Sequence, residues 1–463
     1  MASLDSNIVA IALPKISVDF SAGFSYLAWV VTGYIIALVA LVIFFGKLAD
    51  VYGRKRIYIA GFILFGASSA LCGLSQSITE LIVFRIIQGA SAALFWAVSR
   101  PILLDTFPAN EISFAFGVNT ATSSIGAVIG PVIGGLLVGI DWRLIFYVNV
   151  PIAVLASALA IRNIKPGVRR VSPGAALKSF NPLNSGLFFL TVSLVMIWLT
   201  FYISMVGVLG LVTLALFAVA ERRSRNPLLN RELLANKVYV YSLLAVFVLT
   251  VGYNGIAFAM SFYFQSVLNL KAGLSGILIA PVSLALGVAS VITGRFFGRL
   301  NDGIRLSALG ALFCGLGMVS LGLAVGFEAG SWIVEAALFV IGFAGGVYWV
   351  PLITTVMRAP KTEVIGVASA TLSMFAQVAG GISITVTVAL SAYYLPHSLA
   401  TQVYSGGLVN LTAAQADLLK EGIEAALLAL GGFNFASIPL VLRTMKEQKI
   451  VRSVPAKQTA DSP

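Results

Sequence analysis

Long uncharged apolar runs dominate the chain, and the segments between them collect most of its charge. Phe20 to Gly46, Ile57 to Thr79, Ile112 to Ile140, Ala272 to Gly294, Leu306 to Phe327 and Ala336 to Met357 are each long enough for one helix across a bilayer core, which takes about 20 residues. Leu144 to Ile161 and Ala425 to Leu442 are shorter but adequate. Ser179 to Ala220 carries no charge and has room for two helices, with a turn near Tyr202 to Ser204. Val238 to Leu270 and the first half of Val364 to Ala416 hold one each, Leu81 to Ser99 is interrupted only by Arg85, and Met1 to about Ile16 gives a short first span. The pattern predicts an all-α integral membrane protein with fourteen spans.

Composition agrees, with 59% hydrophobic and 10% charged residues where soluble domains carry about 25% charged. The formal charge of +12 does not mark a nucleic-acid binder, because the basic residues lie between apolar runs and form no basic face with interleaved aromatics. With an even number of spans, 25 of the 30 Lys and Arg residues fall on the side of both termini. Four, Lys15, Arg143, Lys271 and Lys420, fall opposite, and Arg85 lies within a span. The positive-inside rule then makes both termini cytoplasmic, in a multi-pass protein of the plasma membrane. The tail 446–463 reads as a basic, disordered cytoplasmic end.

Cys72 and Cys314 each sit inside an apolar run, so neither a disulfide framework nor a metal site is expected, and His397 stands alone in a loop. No G-x-x-x-x-G-K-[ST] phosphate loop occurs, so no ATP-driven step within this chain and no cofactor are expected. Nor does the sequence hold the metal cluster, paired carboxylates or nucleophile with base that an enzyme reading needs.

The chain repeats itself. Gly117-Val-Asn-Thr-Ala-Thr-Ser-Ser-Ile-Gly-Ala127 returns as Gly366-Val-Ala-Ser-Ala-Thr-Leu-Ser-Met-Phe-Ala376, with six of eleven positions identical. Gly46-Lys-Leu-Ala-Asp50 returns as Gly298-Arg-Leu-Asn-Asp302, and Gly89 with Phe95-Trp96 returns as Gly342 with Tyr348-Trp349. Two pseudo-symmetric six-helix halves follow, residues 1–161 and 238–445, with spans 7 and 8 inserted between linkers in 162–237. Such an arrangement favours a cavity between the halves and alternating access.

Leu4-Asp5-Ser-Asn-Ile-Val-Ala-Ile-Ala-Leu-Pro14, Gly46-Lys-Leu-Ala-Asp50-Val-Tyr-Gly53-Arg54-Lys55-Arg56, Arg85-Ile-Ile-Gln88-Gly89, Gly126-Ala-Val-Ile-Gly130-Pro131-Val-Ile-Gly134-Gly135 and Trp142-Arg143-Leu-Ile-Phe146-Tyr-Val-Asn149-Val-Pro151 together resemble the major facilitator superfamily, in particular its fourteen-span drug:proton antiporter branch. The likeness runs from Leu4 to about Leu442. It implies that Gly46, Asp50, Gly53, Arg54 and Arg56 form a gating loop, that Gly126, Gly130, Pro131, Gly134 and Gly135 form the antiporter motif, and that Arg85 takes part in proton coupling. It also implies a longer apolar stretch ahead of Asp5 than Met1 to Leu4 provide, so an upstream start is expected to complete span 1. Two further departures are Ala97, where the family favours proline, and Ala376 ahead of Gln377, where arginine is common.

Physical arguments bear on the same residues. A guanidinium within a span costs several kcal/mol unless it meets a partner or a cavity, so Arg85 either does so or snorkels toward the end marked by Glu80. Asp5 is the acidic residue placed within the membrane and the candidate proton carrier, although four preceding residues would leave it near the cytoplasmic end. Asp50 can face a helix N-terminus, Arg54 can pair with a carboxylate when the cytoplasmic side closes, and the glycines of span 5 form a smooth face that Pro131 bends. Candidate cavity residues are Trp29, Tyr34, Gln88, Trp96, Asn254, Phe258, Gln265 and Trp349.

The expectation is a proton-coupled exporter of drugs or other small amphipathic molecules, with protons and the lipid bilayer as partners. Two alternatives stay open. One is a transporter of the same fold serving one metabolite, lipid or siderophore, and the other is a membrane sensor or non-transporting partner subunit.

Overall fold

The computed structural model describes residues 1–165, 181–201, 204–224, 227, 231–297, 303–361, 364–396, 399 and 411–453. Among them every regular element is a helix, as lipid requires, since a helix bonds its own backbone polar groups where no water can. The first six helices are α1 (Ala2–Phe20), α2 (Phe24–Tyr52), α3 (Arg54–Leu74), α4 (Ile78–Thr106), α5 (Ile112–Ile140) and α6 (Leu144–Asn163). An inserted pair follows, α7 (Pro182–Phe201) and α8 (Ser204–Arg223). The remainder are α9 (Lys237–Phe262, continued by a π-helical turn Tyr263–Val267), α10 (Ala272–Phe297), α11 (Ile304–Gly326), α12 (Ser331–Arg358), α13 (Ile365–Tyr393) and α14 (Ala413–Ser453).

Every expected span falls on a helix, but the count of fourteen crossings needs correction. Among the described residues, twelve helices are long and apolar enough to cross a membrane. The other two are α1, diluted by Asp5, Lys15 and Asp19, and α7, whose described apolar stretch Leu183–Trp198 is short. The tail is a second correction: α14 continues to Ser453, so residues 446–453 are helical. Gly298 to Asp302 and His397 lie outside the described residues.

Local chemistry sets several boundaries. Ser21, in the left-handed region at φ 49°, ends α1. Gly53 turns α2 into α3 at φ 95°, a conformation that a side chain would strain. The Ser77 hydroxyl accepts from the Glu80 N–H at 3.2 Å while the Glu80 carboxylate accepts from the Gln76 N–H at 2.8 Å, which secures the start of α4.

Small residues let the helices meet backbone to backbone, and they do so in a repeated pattern. Gly89 of α4 lies on the Tyr34 carbonyl of α2, and Gly342 of α12 lies on the Val282 carbonyl of α10. Gly61 of α3 rests on Ser91, Leu94 and Phe95 of α4, as Gly310 of α11 rests on Ala344 and Tyr348 of α12. Across the molecule, Gly46 of α2 packs on Gly366 and Ala370 of α13, while Gly117 of α5 packs on Ser290 of α10 and Gly294 on Ser113. These last contacts join α1–α6 to α9–α14, and all lie toward the end of the bundle where Arg54, Lys55 and Arg56 are found, called here the basic end. The inserted pair is held together by Asn184 donating to Glu221 at 2.5 Å and by Phe188 against Phe217, and α7 packs on both α2 and α13.

Candidate functional site

Five helices converge on a buried ion pair. The Arg85 guanidinium on α4 donates through Nη1 to Asp5 Oδ2 on α1 at 2.7 Å, and the two side chains are 1% and 0% exposed. The same Nη1 donates to Gln88 Oε1 at 2.6 Å, and Nε donates to the Val30 carbonyl of α2 at 3.1 Å. Asp5 Oδ1 accepts from Gln88 Nε2 at 3.2 Å and from Asn149 Nδ2 of α6 at 2.8 Å. The Asn149 amide also donates to Ser69 Oγ of α3 at 3.2 Å, and Ser69 donates to the Phe146 carbonyl at 2.8 Å. Tyr34 lies under the guanidinium, 4.4 Å from ring centroid to Cζ.

The local sequence explains the convergence. Arg85 and Gln88, three apart, share one face of α4, and Gly89 beside them lets α2 approach closely enough for the Val30 carbonyl to reach Arg85. The carboxylate is matched to this setting by three side-chain donors, so it is satisfied as an anion in the absence of water. Asp5 therefore does not sit exposed near a helix end: although it occupies the first turn of α1, α4 and α6 enclose it.

A second cluster stands at the basic end. Arg54 donates to Asp50 Oδ1 at 3.2 Å and to Asp105 Oδ2 of α4 at 2.7 Å, and Asp50 abuts Gly366 in the first turn of α13. Gly46, Asp50, Gly53 and Arg54 thus share one junction of α2, α3, α4 and α13, while Arg56 is exposed and takes no part in it.

The glycines of α5 divide. Gly134 lies against Ile8 of α1, Gly126 and Gly130 are half-buried and buried, and Gly135 has open space beyond it; the side chain of Pro131 is outside the described set. Of the cavity candidates, Tyr34 and Gln88 belong to the ion-pair network. Trp29, Trp96, Phe258, Gln265 and Trp349 are half-buried, with Phe258 against Phe262, Gln265 donating to Ser261 at 2.6 Å, and Trp349 against Tyr348. Asn254 is exposed on α9, with its amide facing Gly380 of α13.

Sequence reasoning missed Asn149 and Ser69 as members of the site. Asn149 stood in a quoted motif, but nothing in one strand of sequence says that α6 turns it toward α1. Arg100, one of the 25 basic residues assigned to the side of both termini, lies within α4, which runs six residues beyond it, and is 9% exposed.

Residues 1–384 match the family model described as Major Facilitator Superfamily. The multidrug transporter protein MdtP of Bacillus subtilis is 28% identical over 398 residues, 83% of this chain and 71% of that protein. The multidrug resistance protein Stp of Mycobacterium tuberculosis is 30% identical over 414 residues, 86% of this chain and 75% of that protein. In structure, the human organic anion transporter MFSD10 aligns with a TM-score of 0.62 at 13% identity, covering 95% of this chain and 97% of that one, a likeness of fold alone.

Proposed function

The chain belongs to the major facilitator superfamily and is a multi-pass membrane transporter of small molecules, not an enzyme, and we propose that it is a proton-coupled antiporter exporting drugs or related amphipathic molecules. The observation that carries this reading is the Asp5–Arg85 pair, a titratable carboxylate with no exposure held by an arginine.

Protonating Asp5 cancels its charge and leaves Arg85 with the Val30 carbonyl, Gln88 and the Tyr34 and Phe146 rings. An unpaired guanidinium in a membrane interior is costly, so the protonated site favours a rearranged packing of α1, α4 and α6. Asn149 can serve both forms. Its Nδ2 donates to the carboxylate, and its Oδ1, without a partner among the described residues, is available to a protonated Asp5 once the amide turns.

Both members of the pair lie on helices of the first half, α1 and α4, so the coupling site belongs to that half. In this reading the halves, 1–161 and 238–445, rock about the substrate, and the Arg54–Asp50–Asp105 cluster against α13 closes the basic end. That end is the cytoplasmic one by the positive-inside rule, in the plasma membrane with both termini inside. Trp29, Trp96, Asn254, Phe258, Gln265 and Trp349 are the cavity residues it offers, and Gly134 of α5, against Ile8, keeps α1 close enough to couple its movement to the gate. Proton entry is driven by the pH gradient and by about 2.3 kcal/mol per charge per 100 mV of potential.

The test is purified protein in liposomes under an imposed pH gradient, with one anionic and one cationic xanthene dye, fluorescein and rhodamine 6G. Gradient-driven movement of either dye, lost in Asp5→Asn and Arg85→Ala, supports coupled antiport through the pair. Wild-type protein that moves neither dye, or moves one at a rate indifferent to the gradient, removes the reading.

A further inference from the structure

The described residues include three arginines less than a tenth exposed, Arg54, Arg85 and Arg100. Arg54 is held by Asp50 and Asp105 and Arg85 by Asp5. Arg100 has no carboxylate among its described neighbours: its one hydrogen bond, at 2.7 Å, goes to the Ser373 hydroxyl on α13, and the Trp96 ring lies 6.0 Å away. A neutral hydroxyl is a poor match for a buried guanidinium, which carries several N–H donors and loses a large hydration energy.

The position of that single bond matters. Ser373 belongs to α13 and Arg100 to α4, so the bond spans the seam between the two halves and breaks whenever they part at the basic end. Parting then presents a cation to the crevice beside the Trp96 ring of α4, while Phe375, two residues beyond Ser373 on α13, packs edge-on against Phe247 of α9. A planar guanidinium flanked by rings binds carboxylate, sulfonate or phenolate groups on flat organic molecules through paired hydrogen bonds and stacking.

We infer that Arg100 is the anion-receiving group of the substrate site, and that the preferred substrates are amphipathic aromatic anions taken from the basic side. The inference rests on the alternating-access part of the functional reading and does not depend on proton coupling. Export of an anion against an entering proton moves charge of the same sense in both legs, so the membrane potential drives the exchange along with the pH gradient. Ser373 holds Arg100 while no substrate is bound, and the anion replaces it.

The experiment is equilibrium binding to the purified full chain at one fixed pH, read by fluorescence polarisation of fluorescein and of rhodamine 6G. Arg100→Leu and Arg100→Lys are compared with wild type, and each protein's melting temperature is recorded. Wild type binds fluorescein more tightly than rhodamine 6G. Arg100→Leu weakens fluorescein by about tenfold or more, as expected for a lost hydrogen bond to a charged group, and leaves rhodamine 6G unchanged. Arg100→Lys keeps part of the preference. The melting temperature of Arg100→Leu is equal to or above wild type, because an apolar side chain replaces an uncompensated buried charge. The inference is overturned if wild type binds fluorescein no better than rhodamine 6G, if Arg100→Leu binds fluorescein as wild type does, or if that variant loses both dyes and melts lower, which is the mark of a structural arginine. No gradient enters the measurement, so failure of coupling in liposomes leaves its result standing.

Discussion

Asp5 and Arg85 are separated by 80 positions in the chain and by 2.7 Å in the fold. Neither side chain reaches solvent in this conformation, so any change in the protonation of Asp5 acts first on Arg85 and then on the helices that hold it.

Asp5→Asn is expected to separate exchange from coupling. The amide keeps a hydrogen-bonding shape but cannot cycle a proton, so uphill dye accumulation driven by a pH gradient should fall by at least about tenfold, while dye-for-dye exchange across liposomes at equal pH persists. Uphill accumulation at the wild-type rate in this variant would place the coupling carboxylate elsewhere.

The same pair makes a stability prediction. Removing the charge of Asp5 alone strands Arg85 and should cost about 3–5 kcal/mol, whereas Asp5→Asn combined with Arg85→Met should recover most of that loss. Melting of the four proteins of the double-mutant cycle, followed by tryptophan fluorescence, checks this; additive losses would show that the two residues do not depend on each other.

At the helix crossings, Gly89→Ala and Gly342→Ala should each lower stability by about 1–3 kcal/mol, since a methyl group at either position meets a backbone carbonyl that cannot move aside. Gly135→Ala, with open space beyond it, should melt as wild type does. Equal melting temperatures for all three would mean that the α2–α4 and α10–α12 contacts are looser than the structure has them.

Arg54→Ala removes both ties of the basic-end cluster, to Asp50 and to Asp105. The population should shift toward the state parted at that end, so a cysteine introduced as Ser369→Cys, buried on α13, should react with a thiol reagent about tenfold faster in the Arg54→Ala background. Cys72 and Cys314 are buried and contribute a slow background that the parent protein measures. Unchanged labelling would remove the cluster from gate closure.

The limits of sequence reading show in particular residues. Asp5 and Arg85 stood out because charge inside an apolar run is costly and needs a reason. Asn149 and Ser69 did not, because a polar neutral residue in a span carries no such penalty signal and its partners lie on other helices. Tyr34 and Gln88 read as cavity lining, and the structure instead packs them around the ion pair.

What the sequence determined by itself is what composition along a line can encode: where the helices run, that lipid surrounds them, and that the chain repeats about every 250 residues. Those follow from transfer free energies and local hydrogen bonding, which depend on each segment alone. Only the tertiary structure decided that α6 brings Asn149 to Asp5, that α13 buries Arg100 while giving it a hydroxyl in place of a carboxylate, and that the halves meet at the basic end. The reason is that these helices are apolar on nearly every face, since lipid and protein interior are equally greasy. Which face turns inward is therefore set by where small residues let backbones touch and where buried polar groups find one another, and both are properties of helix pairs that no single segment contains.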